Sequence, residues 1–143
     1  MSHEFLERFR NVLLLLARVF LTLLFIIFGW KKLIGFSGTS AYLGSIGLPA
    51  PLLAAAVAVT MELGAGALIL MGFWTRSLSF LVCVYTFATA LIGHHYWNMA
   101  GADHAANMIH FYKNVSITGG FLLLVLTGAG RYSLDGRSNH SEQ

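Results

Sequence analysis

The sequence predicts an all-α polytopic membrane protein, a bundle of four transmembrane helices with a short interfacial segment after the first. Three observations predict it. The 143 residues are 57% hydrophobic and only 10% charged, against about 45–50% and about 25% in ordinary soluble domains. Mean hydropathy is +0.70, and the apolar residues gather into four runs, each near the ~20 residues that cross ~30 Å of hydrocarbon. No run alternates with period two, as barrel strands do. A soluble globular domain and a disordered chain are excluded on the same grounds. The length fits a single domain, 1–143.

The spans are expected at about 12–30, 51–73, 78–97 and 108–128. Arg8 and Arg10 precede the first run, as in a secretory signal. Phe28-Gly29-Trp30-Lys31-Lys32 stands where a small-residue cleavage site would be, so the span is read as retained. Residues 1–10, with Glu4-Phe5-Leu6-Glu7-Arg8-Phe9-Arg10, read as an interfacial N-terminal segment. Between the first two spans, Phe36, Leu43, Ile46 and Leu48 suit a short amphipathic segment. Leu48-Pro49-Ala50-Pro51 then starts the next helix. Gly72-Phe73-Trp74-Thr75-Arg76-Ser77 is a tight turn. Trp30, Trp74 and Trp97 fall at span ends, with Tyr96 and Tyr132, where aromatic belts form. The polar stretch 135–143 is expected to be a disordered tail.

Four spans put both termini on one side. Arg8, Arg10, Arg76, Arg131 and Arg137 collect there, against Lys31, Lys32 and Lys113 on the other. The positive-inside rule then places both termini in the cytoplasm. The net charge of +3 comes from scattered residues rather than a basic block, which argues against nucleic acid as a partner. The lone Cys83 supplies neither an internal disulfide nor a CxxC redox or zinc pair.

Besides histidines, three ionisable side chains lie within the spans: Arg18, Glu62 and Lys113. Such residues are expensive in hydrocarbon, about 2.5–3.5 kcal/mol on insertion scales, and mark functional sites by default. Arg18 is roughly 9 Å and Lys113 roughly 7 Å from a span end, so each can snorkel to headgroups or turn inward. Glu62 lies about 16 Å from either end of its span and must face the interior, whether as a neutral interhelical hydrogen-bond donor or as a functional carboxylate. Arg18, Thr22, Phe25, Gly29 and Lys32 share one face of the first span, and Cys83, Phe87, Ala90 and His94 one face of the third. Lys32, His94, Lys113 and Asn114 thus ring the outer mouth of the bundle, beside Trp97, with Glu62 at its floor.

Metal and haem are disfavoured. His94 and His95 point about 100° apart on a helix, and although His104 and His110 could add ligands, no HExxH, CxxC or carboxylate cluster accompanies them. Gly119-Gly120 and Gly64-x-Gly66 read as helix-packing glycines, not a phosphate loop.

Taken together, Phe28-Gly29-Trp30-Lys31-Lys32-Leu33-Ile34-Gly35-Phe36, Gly47-Leu48-Pro49-Ala50-Pro51, Met61-Glu62-Leu63, Gly72-Phe73-Trp74-Thr75-Arg76, His94-His95-Tyr96-Trp97, Phe111-Tyr112-Lys113-Asn114-Val115 and Tyr132-Ser133-Leu134-Asp135 resemble the DoxX family of bacterial four-span inner-membrane proteins. The resemblance covers nearly the whole chain. It implies a four-helix membrane bundle in the bacterial inner membrane. The family pattern's lysine, central glutamate, histidine, Lys-Asn pair and early arginine fall on Lys32, Glu62, His94, Lys113-Asn114 and Arg18. Family members are named for subunits of thiosulfate:quinone oxidoreductase, and the bundle is similar to others that bind quinones. The paired cysteines of the disulfide-generating bundles are missing here. The expectation is a quinone-linked redox protein or oxidoreductase subunit. Lys32, His94 and Lys113 would donate to the quinone oxygens, Glu62 would relay protons, and a partner protein or a substrate would supply electrons. The alternatives are a non-catalytic membrane module (an anchor, scaffold or lipophilic-ligand binder) and a small transporter, which four spans would support only as a homo-oligomer.

Overall fold

The computed structural model describes residues 3–138, and among them the only regular elements are helices. Four helices are long and apolar enough to cross a membrane. The first, His3–Ile34, is continuous for 32 residues, about 48 Å at 1.5 Å per residue, so it outreaches the ~30 Å hydrocarbon core. Of the segment 1–10 expected at the interface, residues 3–10 continue this helix without a break and residues 1–2 lie outside the described residues. Its inward face is the one the spacing marks: Arg18, Thr22, Phe25 and Gly29 are buried and Lys32 half-buried, while Phe20, Leu23 and Ile27 point outward.

After Gly35 a ten-residue helix, Phe36–Ser45, folds back against the start of the second span, where Gly44 sits beside the Pro51 ring. Gly47 and Ala50 both adopt positive φ and reverse the chain. Pro51 then opens the second span at a position where its missing N–H is not needed. That span, Pro51–Met71, is α-helical except at its centre, where Thr60–Ala65 is a π-helix. The first span presses on this segment. A Cβ on Gly29 would stand 2.6 Å from the Leu63 nitrogen and 3.0 Å from the Glu62 carbonyl carbon, so only glycine admits the approach.

The third span, Thr75–Gly93, and the fourth, Gly101–Thr127, form an antiparallel pair joined through a 3₁₀ turn at Tyr96–Asn98. Phe25 and Phe121 meet edge-on across the core at 5.3 Å, packed with Ile69, Val82 and Leu124. The third span turns Val82, Cys83, Thr86 and Ala90 inward. Phe87, expected on that face, is 46% exposed.

The third and fourth helices begin before the expected limits, at Thr75 and Gly101, because hydropathy marks only the hydrocarbon portion. The second and third stop short of them, at Met71 and Gly93, because the left-handed Gly72 and the turn at Tyr96–Asn98 end the helices inside the apolar runs. The tail also needs correction at its start. Leu134–Ser138 is a short helix, and the Asp135 amide donates to the Gly72 carbonyl at 2.8 Å. Residues 139–143 lie outside the described residues. The Asp135 carboxylate accepts the Trp74 amide at 2.8 Å and the Thr75 amide at 2.9 Å. It thereby caps the third span and secures the left-handed φ of 46° at Trp74.

Candidate functional site

The π-helix positions the central carboxylate. One extra residue per turn rotates the second span locally, a device frequent at functional sites. Here it carries Glu62, which is 9% exposed, toward the first and third spans. Lys32 Nζ lies 2.6 Å from Glu62 Oε2, and Tyr85 donates its hydroxyl to Glu62 Oε1 at 2.7 Å. Three spans therefore converge on one carboxylate, and both of its oxygens are engaged. A buried carboxylate is tolerable only with such partners. The sequence leaves the ion-pair partner of Glu62 open, and the structure gives it Lys32.

This cluster borders a cavity of about 620 Å³ at the end of the bundle away from the termini. Lys32, Glu62 and Tyr85 lie on one part of its wall, and His94, His110, Lys113 and Asn114 on another. Leu43, Ile46 and Leu48 from the returning segment close one flank, and Phe28, Val57 and Ile92 add apolar surface. Five of the seven residues singled out in the sequence thus share one cavity: Lys32, Glu62, His94, Lys113 and Asn114.

Arg18 and Trp97 do not. Arg18 lies about 21 Å along the first helix from Lys32, at the end that holds the termini. It is 1% exposed and donates Nη2 to the Tyr132 carbonyl beneath the Gly72 turn. Neither snorkelling to headgroups nor facing the cavity describes it. It ties the C-terminal segment to the bundle. Trp97 is 53% exposed in the 3₁₀ turn and packs edge-on against Tyr96 and Phe111. It contributes to an aromatic belt rather than to the cavity.

His94 ends the third span, and its Nδ1 contacts Asn107 Oδ1 at 3.0 Å. Asn107 donates its own Nδ2 to the Asp103 carbonyl at 3.0 Å, which orients the amide oxygen toward the histidine. His94 must then carry its proton on Nδ1, leaving Nε2 as the nitrogen available to a ligand. Its ring lies 5.1 Å from that of His110, whose Nδ1 is 3.1 Å from Lys113 Nζ. Asn114 donates to the Thr89 hydroxyl at 3.4 Å. Among the described residues no three His, Cys, Asp or Glu side chains gather as a metal site.

Sequence reasoning missed Tyr85, Thr89 and Asn107. Tyr85 carried a usable signal. A tyrosine in mid-span is away from the headgroups, so its hydroxyl needs a partner inside the bundle. Asn107 gave none, because its role depends on how the outer turn folds.

The fold and its interior Lys–Glu pair define a class: a four-span membrane bundle with a polar side-chain cluster beside an end cavity. The DoxX family model matches residues 13–95. Inner membrane protein YphA of Escherichia coli (strain K12) is 56% identical over 128 residues, 90% of this chain and 91% of that protein. Inner membrane protein YqjF of the same organism is 38% identical over 130 residues, 91% of this chain and 95% of that protein. The chain belongs to the DoxX family. No solved structure matches it.

Proposed function

We propose that this protein is a quinone-linked redox component of the bacterial inner membrane, an oxidoreductase subunit or partner-dependent enzyme, with both termini in the cytoplasm. The observation that carries the reading is the buried Glu62, held by Lys32 and Tyr85 at the edge of the 620 Å³ cavity. Small-ligand sites are typically apolar clefts of about 300–1,000 Å³ with a few convergent polar groups, and the donor set here fits a ring bearing two carbonyl oxygens. The inner-membrane location is supported by the relatives' names.

A quinone, when bound, supplies the two-electron chemistry. The chain's residues would bind and orient it and handle protons. Lys32, whose side chain is 32% exposed, would donate Nζ toward a carbonyl oxygen while remaining paired to Glu62. Glu62 and the Tyr85 hydroxyl pass a proton at Oε1. His94, also on the cavity wall, would offer Nε2, with its tautomer set by Asn107. The one cysteine, Cys83, is buried and has no second thiol to pair with, so electrons would come from a partner protein or a substrate.

A second reading is a binder of lipophilic ligands without catalysis. It is favoured by the fact that both Glu62 oxygens already have partners. Mass spectrometry of organic extracts from the purified full chain separates the two. Bound quinone in near-equal amount to protein, lost in Glu62→Gln, supports the first. Another lipid retained equally by wild type and variant supports the second.

A further inference from the structure

At the opposite end of the bundle, between the first span, the turn into the third and the loop after the fourth, lies a groove of about 780 Å³. We propose that it binds a phosphate group, and that its occupant is the headgroup of an anionic phospholipid. Three arginines from three separate segments line it: Arg10, Arg76 and Arg131. Asp135 is the one acid among the lining residues, so the local balance is three positive charges less one, or +2. That carboxylate is committed to the Trp74 and Thr75 amides.

Two features make this more than a charged surface. Arg76 is held in place. Its Nη1 donates to the Val125 carbonyl at 3.1 Å, and its Nε would lie 3.2 Å from a Cβ on Gly128. An ordered guanidinium loses little freedom on binding a phosphate, whose geometry it matches. Thr75, the first residue of the third span, also borders the groove, and its hydroxyl is buried with no hydrogen-bond partner among the described residues. A buried hydroxyl without a partner is costly, so this corner of the groove carries an unmet polar group beside the three arginines.

Position favours a lipid as the source. The groove sits at the ends of spans, beside Trp74 stacked on Phe73 at 5.5 Å, and both rings are exposed. Such aromatics settle at headgroup depth, where basic pockets between helices meet lipid phosphates.

The test is native mass spectrometry of the full chain released from micelles or nanodiscs containing phosphatidylglycerol and phosphatidylcholine. Wild type should retain phosphatidylglycerol selectively. In Arg10→Gln/Arg131→Gln, which changes two exposed side chains, retention should weaken roughly 30-fold, from the usual contribution of a basic residue near an anionic surface. Arg8→Gln/Arg137→Gln, an equal loss of two charges at exposed positions outside the groove, should leave retention unchanged. Equal retention of both lipids, or an equal loss in Arg8→Gln/Arg137→Gln, overturns the site. Displacement of the lipid by millimolar inorganic phosphate overturns the lipid as source and leaves a soluble phosphate ester as the occupant.

Discussion

Breaking the Lys32–Glu62 pair tests the centre of the molecule. In Glu62→Gln the amide oxygen can still accept from Tyr85, but Lys32 Nζ loses its carboxylate at 2.6 Å. Removing one partner of a fully buried pair costs about 3–5 kcal/mol, and exposed pairs are worth about 0.2–1 kcal/mol. The side chains are 32% exposed at Lys32 and 11% at Glu62, which places this pair between those limits, at about 2 kcal/mol. Glu62→Leu should be at least as damaging, because the lysine keeps its charge beside an apolar wall. The double variant Lys32→Met/Glu62→Leu should recover to within about 1 kcal/mol of wild type, since apolar side chains replace a buried pair without desolvation. Equilibrium unfolding in mixed micelles, followed by the fluorescence of the three tryptophans, reads all four corners of the cycle. A Glu62→Leu protein as stable as wild type, or a coupling below about 0.5 kcal/mol, would refute the pairing. Quinone content measured on the stable double variant separates function from folding. Under the proposed function that protein is folded and empty.

Further outcomes follow from other contacts. Gly29→Ala should destabilise by about 1–3 kcal/mol, as overpacking does, because its Cβ meets the Leu63 nitrogen at 2.6 Å; thermal unfolding checks this. Asp135→Ala should lose about 1–2 kcal/mol, the range of a lost helix cap, and hydrogen exchange at the Trp74 and Thr75 amides should accelerate. Gly72→Ala should fail to accumulate in the membrane, since its Cβ would collide with Arg18 Nη1 at a φ of 73°; immunoblotting of membrane fractions reads it. A reporter fused after Gln143 should be active only in its cytoplasmic form and one near Gly101 only in its outside form, while reversed activities would move the cavity to the cytoplasmic face.

The inward faces of the spans were legible because a helix repeats every 3.6 residues. The set Arg18, Thr22, Phe25, Gly29 and Lys32 needed no tertiary knowledge. Glu62 was legible from depth alone, since a glutamate in mid-span cannot reach water. Its partner was not legible, because choosing between Lys32, Lys113 and Arg18 requires the rotation of one helix against another. The π-helix at Thr60–Ala65 adds a residue to a turn without altering the apolar run that contains it. Arg18 shows a different error. Sharing a face with Lys32 says nothing about depth, and about 21 Å of helix separates the two. The clamp between Asp135 and the Gly72–Thr75 turn joins segments some sixty residues apart, which no local pattern encodes.

The two ends of the bundle use polar groups differently, and the difference bears on function. At the terminal end each contact joins one segment to another. Arg18 reaches the Tyr132 carbonyl, Asn11 accepts the Arg131 amide, and Asp135 caps the third span. These contacts close the fold. At the far end Glu62 also bridges three spans, but packed leucines would bridge them with no charge to desolvate. The glutamate stands, moreover, on a π-turn that departs from regular helix, and it borders a cavity that costs the core its packing. Three departures from the most stable arrangement coincide at one residue. Helix association requires none of them, whereas under the proposed function each has a use: the pair supplies a charged donor and a proton acceptor, the π-turn aims it, and the cavity takes the ring.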